Sequence, residues 1–149
     1  MKIERVEAKK FRYITNQTRD SDGHSHPGEH SEATTGLLVI TCDDGTTGHV
    51  IARPGDIEES LLNAFVRPVL IGADPMSNEA IWQGLYKWQR GSAGKLTDRV
   101  RCAVDLALWD LIGKICGQPT WQLLGGCRDK IMAYGSTRGW DDRAGGPGD

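Results

Sequence analysis

From Thr97 to Gly126 the apolar residues recur at steps of three and one: Val100, Ala103, Val104, Ala107, Leu108, Leu111, Ile112 and Ile115. That spacing gathers them on one face of an α-helix. Cys102, Leu106, Trp109 and Gly113 widen the face, so the pattern predicts a helix buried beneath neighbours on several sides. Thr97 is its expected N-cap, with Asp98 in the electropositive first turn, and Gly117 followed by Pro119 its expected end. Pro119 then opens a second, short helical turn closing at Gly125, from which Trp121, Leu123 and Leu124 pack back.

Before this helix the period changes. Met1 to Tyr13 reads as a strand, Val6 and Ala8 on one parity and Phe11 and Tyr13 on the other, with a bulge at Lys9–Lys10 where the parity shifts. Residues 16–32, NQTRDSDGHSHPGEHSE, are polar, rich in turn formers and without period, and so predict a long exposed loop. Gly36–Cys42 and Thr46–Ala52 are β-branched runs joined by Asp43-Asp44-Gly45, a hairpin signal. Asp56 is placed to cap a helix whose apolar side is Ile57, Leu61, Leu62 and Phe65 and which Pro68 ends. Ser77 caps a further helix bearing Ile81, Trp82, Leu85 and Tyr86, closed by the Gly91–Gly94 stretch. Trp82, Trp88, Trp109 and Trp121 share helical spacing with Leu and Ile and are expected in the core before any role as sugar-stacking platforms. Lys130–Thr137 reads as a short strand, and the glycine-rich residues 138–149 as disordered.

These elements predict an α+β fold: a small three-stranded antiparallel sheet packed on a helical bundle. At 149 residues the chain suits one such domain and is too short for a barrel enzyme of about 250 residues. Eighteen Lys and Arg face 20 Asp and Glu, without the basic excess of a nucleic-acid binder. No run approaches the roughly 18 apolar residues of a membrane span, and MKIERVEAKK is unlike a signal peptide, which points to the cytoplasm. Cys42, Cys102, Cys116 and Cys127 show no C-x-x-C pair and are expected to be reduced and buried.

Few residues suggest chemistry. His24-x-His26-x₃-His30 could ligate a transition metal, but nothing rigid beside it fixes a geometry. Asp105 and Asp110 lie five apart, on different faces of a helix, and are expected to be satisfied by Arg, Lys or solvent rather than paired in catalysis.

The order of elements, with TCDDGTTG at 41–48, RPVLIGADP at 67–75, AVDLALWDLIGK at 103–114 and QLLGG at 122–126, resembles the N-terminal capping domain of the enolase superfamily, in its mandelate racemase/muconate lactonizing enzyme group. The resemblance implies a capping domain over residues 1–128. It makes 129–149 the orphan first strand of a missing (β/α) barrel with a truncated tail. It further implies proton abstraction alpha to a carboxylate with Mg²⁺ stabilising the enediolate. The three carboxylate metal ligands and the acid/base groups of the family stand on later barrel strands, so no catalytic residue and no metal is expected in this chain, and the chain alone is expected to be inactive.

In the family the capping loops touch substrate; residues 16–32 and Arg53-Pro54-Gly55 stand in their places. His24, His26, His30 and Arg53 are thus candidate substrate-binding residues, since imidazole and guanidinium hydrogen-bond hydroxyls and carboxylates; the alternative is a solvated loop with no ligand. The polar, histidine-bearing stretch suits a sugar-acid substrate and hence an acid-sugar dehydratase, with a racemase or cycloisomerase as the alternative. A second alternative is a non-catalytic association module, self-associating through its unpaired strand. Residues 138–149 lack the periodicity of the helix that would follow a first barrel strand, which points to a frameshift or premature stop near Thr137.

Overall fold

In the computed structural model, which describes residues 1–19, 21–22 and 25–133, the hydrophobic pattern resolves into three strands and five α-helical segments. The strands are β1 (Ile3–Arg19), β2 (Ser25–Cys42) and β3 (Thr47–Ala52), in the order β1-β2-β3 of one antiparallel sheet. The hairpin of β2 and β3 has Gly36 opposite Ala52 and Thr41 opposite Thr47. Its turn is held by Asp44, whose carboxylate accepts the Thr46 amide at 2.9 Å and the Thr46 hydroxyl at 3.0 Å, while Gly45 takes φ +86°, a conformation that favours glycine.

Most of the described residues within 16–32 are strand rather than the loop their polarity suggested; 20, 23 and 24 lie outside the described residues. Residues 16–19 belong to β1 and residues 25–32 to β2. Ladder hydrogen bonds between backbones need no apolar alternation, so a hairpin with side chains exposed on both faces leaves no periodic signal.

The chain divides into two compact units: Met1–Phe11 with Thr34–Gly126, and Arg12–Ala33 with the residues from Cys127 on. In the second unit the Arg12 guanidinium meets Glu32 at 3.1 Å, and Thr18 covers Gly28 so closely that a Cβ there would lie 2.9 Å from Thr18 Cγ2. Residues 130–133 carry no strand, and Ile131 and Met132 are 84% and 96% exposed. The expected strand at Lys130–Thr137 is therefore absent over its first four residues; residues 134–137 and the tail expected to be disordered lie outside the described residues.

The first unit holds the core. After a 3-10 turn, Pro54–Ile57, come α1 (Glu59–Leu61), a π turn (Leu62–Val66) and α2 (Arg67–Leu70). Asp56 makes no cap; Glu58 occupies the N-cap of α1 without a side-chain bond. Pro68 does not end the helix either. The Arg67 amide bonds back to the Leu62 carbonyl, five residues earlier, and this widened turn gives the proline ring the space that an ordinary α-turn denies it. Arg67 also donates from Nε and a terminal nitrogen to the Val6 carbonyl at 3.0 and 2.7 Å, tying helix to strand. The Ile3 amide and carbonyl pair with Ala73 and Gly72.

Helix α3 (Asn78–Gly91) follows, with Ser77 at its N-cap position but making no side-chain bond. The long helix α4 (Asp98–Cys116) matches its predicted bounds: Thr97 Oγ1 accepts the Val100 amide, and Gly117 stops the helix at φ +61°. Val100, Ala103, Val104, Ala107, Leu108 and Leu111 join Leu38, Ile40, Leu62, Val66 and Leu85 in one core cluster. The helix is not buried on every side. Cys102 is exposed and Leu106 is 51% exposed, because the sheet and α3 cover the stripe centred on Val104 and Leu108 and nothing in this unit covers the next one round.

The same geometry corrects two further expectations. Of the cysteines only Cys42 is buried, and all four are free thiols. Trp88 and Trp121 are 47% and 45% exposed, and α5 (Thr120–Leu123) leaves Leu123 and Leu124 exposed as well instead of packing them back, since neighbours such as Leu123 and Leu124 point about 100° apart on a helix of one turn.

Candidate functional site

Arg53 is the one predicted site residue of the first unit. It follows the last residue of β3, in extended conformation at the N-cap of the 3-10 turn. The alternation of β3 aims Gly48, Val50 and Ala52 toward the core and leaves His49 and Ile51 exposed. Against this strand lies the start of α4, and between them is a shallow cavity of about 190 Å³ lined by Val50, Ile51, Ala52, Arg53, Asp56, Arg99, Cys102, Ala103 and Leu106. Its floor is apolar. Two guanidiniums and one carboxylate supply its polarity: ten N–H donors in planar forks, and one acceptor pair able to take hydroxyl protons. Arg99 and Asp56 escaped the sequence reading because their neighbourhood with Arg53 exists only once β3 packs on α4.

The predicted histidines lie in the second unit or outside the described residues. His24 falls among the latter. His26, half-buried, and His30, exposed, share one face of β2. Four residues of strand separate them by about 13 Å, too far for both to bind one metal ion. Among the described residues no three His, Cys, Asp or Glu side chains gather as metal ligands.

A polar cluster that sequence reasoning missed joins β3 to α4. Lys114 Nζ donates to the Thr47 carbonyl at 2.9 Å and to Asp110 Oδ2 at 2.7 Å, and stands 3.2 Å from His49 Nδ1. Asp110 Oδ2 also accepts the His49 main-chain N–H at 2.8 Å. Burial opposes ionisation of Asp110, but the Lys114 bond and the His49 amide outweigh it and hold the carboxyl below its usual range. The expectation that Asp110 serves structure through a basic partner is met. Asp105, partly desolvated and repelled by Glu79, is pushed up.

Arg101 is the other unpredicted feature. It is 5% exposed, lies 3.8 Å over the Trp82 ring and 5.0 Å from that of Tyr86, and donates to Gln89 Oε1 at 2.7 Å and Asp98 Oδ1 at 3.1 Å. It fixes the crossing of α3 and α4.

Comparison with known proteins decides the family. Residues 15–125 match the family described as mandelate racemase / muconate lactonizing enzyme, N-terminal domain. The chain belongs to this family. It is 48% identical over 108 residues to a D-mannonate dehydratase of Novosphingobium aromaticivorans, covering 70% of this chain and 27% of that protein. Over 108 residues it is 44% identical to a D-galactonate dehydratase family member of Streptomyces bingchenggensis, covering 70% of this chain and 26% of the relative. Among solved structures, the D-glucarate dehydratase of Agrobacterium tumefaciens complexed with magnesium superposes with a TM-score of 0.85 at 45% identity, over 91% of this chain and 35% of that one. The chain thus spans about a quarter of the length of these curated relatives. The enolase-superfamily capping fold expected from the motifs is the fold found. The magnesium of the D-glucarate dehydratase has no matching ligand set among the residues described in this capping domain.

Proposed function

We propose that this domain is the substrate-facing cap of an acid-sugar dehydratase of the enolase superfamily. The reading is carried by the identity, 44–48%, to relatives named for D-galactonate and D-mannonate dehydration. Dehydration of such an acid removes a proton beside a carboxylate and expels a hydroxyl from the next carbon. A divalent cation such as Mg²⁺, when bound by residues other than those described here, supplies the positive charge that such a weakly acidic proton requires. The cap's own task is binding and orientation. Arg53, with Arg99 beside it, offers forked donors to a carboxylate or to vicinal hydroxyls, and Asp56 accepts from a hydroxyl. His26 and His30, on one face of β2 in the second unit, and His24, in the same stretch of sequence, are the other side chains proposed to meet substrate. Among the described residues no three side chains gather as metal ligands, and the 149-residue chain is accordingly expected to show no turnover of its own.

The test exchanges the corresponding domain of the Novosphingobium D-mannonate dehydratase for residues 1–126 of this chain. D-mannonate, D-galactonate and D-glucarate are then assayed with Mg²⁺, beside the 149-residue chain alone. The expected result is dehydration of at least one acid by the chimera, a fall of about tenfold in kcat/KM on Arg53→Ala, the loss of roughly one charged hydrogen bond, and no product from the chain alone. A chimera that melts cooperatively yet only racemises or cycloisomerises its substrates would overturn the reading, as would turnover by the chain alone.

A further inference from the structure

We infer that His49, Asp110 and Lys114 form a proton-operated exchange of ties between β3 and α4. Lys114 Nζ has three protons and three acceptors around it: the Thr47 carbonyl at 2.9 Å, Asp110 Oδ2 at 2.7 Å and His49 Nδ1 at 3.2 Å. With His49 neutral, its proton sits on Nε2 and Nδ1 accepts from the ammonium. All three lysine protons are then used, and Lys114 binds the backbone of β3 to the carboxylate of α4.

Protonation of His49 removes that acceptor. Nδ1–H becomes a donor, and the nearest acceptor is Asp110 Oδ2, also 3.2 Å away. Two cations then compete for one carboxylate oxygen that already accepts the His49 main-chain N–H at 2.8 Å. The imidazolium is the better placed, because it shares a residue with that amide. Lys114 ends a flexible stem with its side chain 40% exposed, so it leaves for solvent and gives up the Thr47 carbonyl. Among the described residues, the charged groups facing His49 are Asp110 and Lys114, both on α4; across the ladder it faces Val39, which has no charge. The exchange does not depend on the dehydratase reading.

The ring nitrogens of the full chain, followed by ¹⁵N NMR from pH 8 to pH 5, report the exchange directly. The expected result is an Nε2–H tautomer at pH 8, with the Thr47 carbonyl and Lys114 Nζ signals moving together with the protonation of His49, and no such movement in His49→Gln. A melting comparison gives a second readout: Lys114→Met lowers the midpoint by about 3 °C at pH 8 and by less than a third of that at pH 5, where the lysine has already left. An Nδ1–H tautomer at pH 8, or an equal loss at both pH values, would overturn the proposal.

Discussion

Gly48 lies so close to α4 that a Cβ at this position would sit 2.1 Å from the carbonyl oxygen of Ala107 and 2.5 Å from Leu111 Cβ. The β3 strand therefore rests its backbone on the helix. Neither wall can yield, because one is helix backbone and the other a fully buried leucine. Gly48→Ala is expected to cost about 2–3 kcal/mol, read as a lower urea midpoint at unchanged slope. Gly55→Ala, where nothing lies within 4 Å, is the control and should leave the midpoint in place; equal effects of the two substitutions would contradict the close contact.

Arg101 contributes through its plane. Its guanidinium covers Trp82 and reaches Gln89 and Asp98, while Nε is buried with no partner. Arg101→Ala should destabilise by about 2 kcal/mol, mostly from lost packing and cation–π attraction, and should change the fluorescence of Trp82. Arg101→Lys should recover less than half of that loss, since an ammonium cannot lie flat on a ring and serve two acceptors in the same plane. Full recovery by lysine would show that charge alone matters.

The fates of these residues show what a sequence discloses. Helix α4 was legible to its caps, because Thr97, Gly117 and an unbroken apolar stripe all speak locally. The β2–β3 hairpin was legible for the same reason. The exposure of Cys102 and Leu106 was not, since periodicity gives the width of an apolar face but not what covers it. Pro68 signalled a break, and only the π turn before it explains why the helix continues. Of the candidate site, Arg53 followed from the end of a strand, whereas Arg99 and Asp56 depended on packing between elements far apart in sequence. For Asp110 the sequence offered only a basic partner or solvent; that Lys114 and His49 are its partners depended on the packing of β3 on α4.

Asp110 also makes the domain's stability depend on pH. Its folded-state carboxyl is held below the usual range, despite burial acting the other way, by the His49 amide and by the cation bonded to it, Lys114 or, once protonated, the His49 ring. A carboxyl depressed on folding stabilises the fold at pH values above its unfolded pKa, and that contribution is lost as pH falls through the folded one. Stability should therefore drop on acidification below about pH 4, and Asp110→Asn should flatten part of this slope. The flattening is partial because Glu59, bonded to Arg67, and Asp44, bonded to Thr46, are depressed as well. Denaturant melts from pH 6 to pH 2.5 on both proteins provide the check, and identical slopes would remove Asp110 from the account.

The four thiols should divide by burial. Cys102, Cys116 and Cys127 are exposed and Cys42 is wholly buried. Burial, with Asp44 and Asp43 adding to it, pushes the Cys42 thiol up, which lowers its thiolate fraction on top of blocking access. An aromatic disulfide reagent added to the native chain at pH 8 should release three equivalents of chromophore rapidly. The fourth should follow only as the sheet opens, at least 100-fold more slowly, since reaction at Cys42 must wait for local unfolding of β2. Gly48→Ala should speed this last phase without touching the first three, because loosening β3 on α4 raises the open population while leaving the exposed thiols where they are. Four thiols reacting in one phase would place Cys42 outside the core, and fewer than three in the fast phase would mean that two of the exposed cysteines are joined.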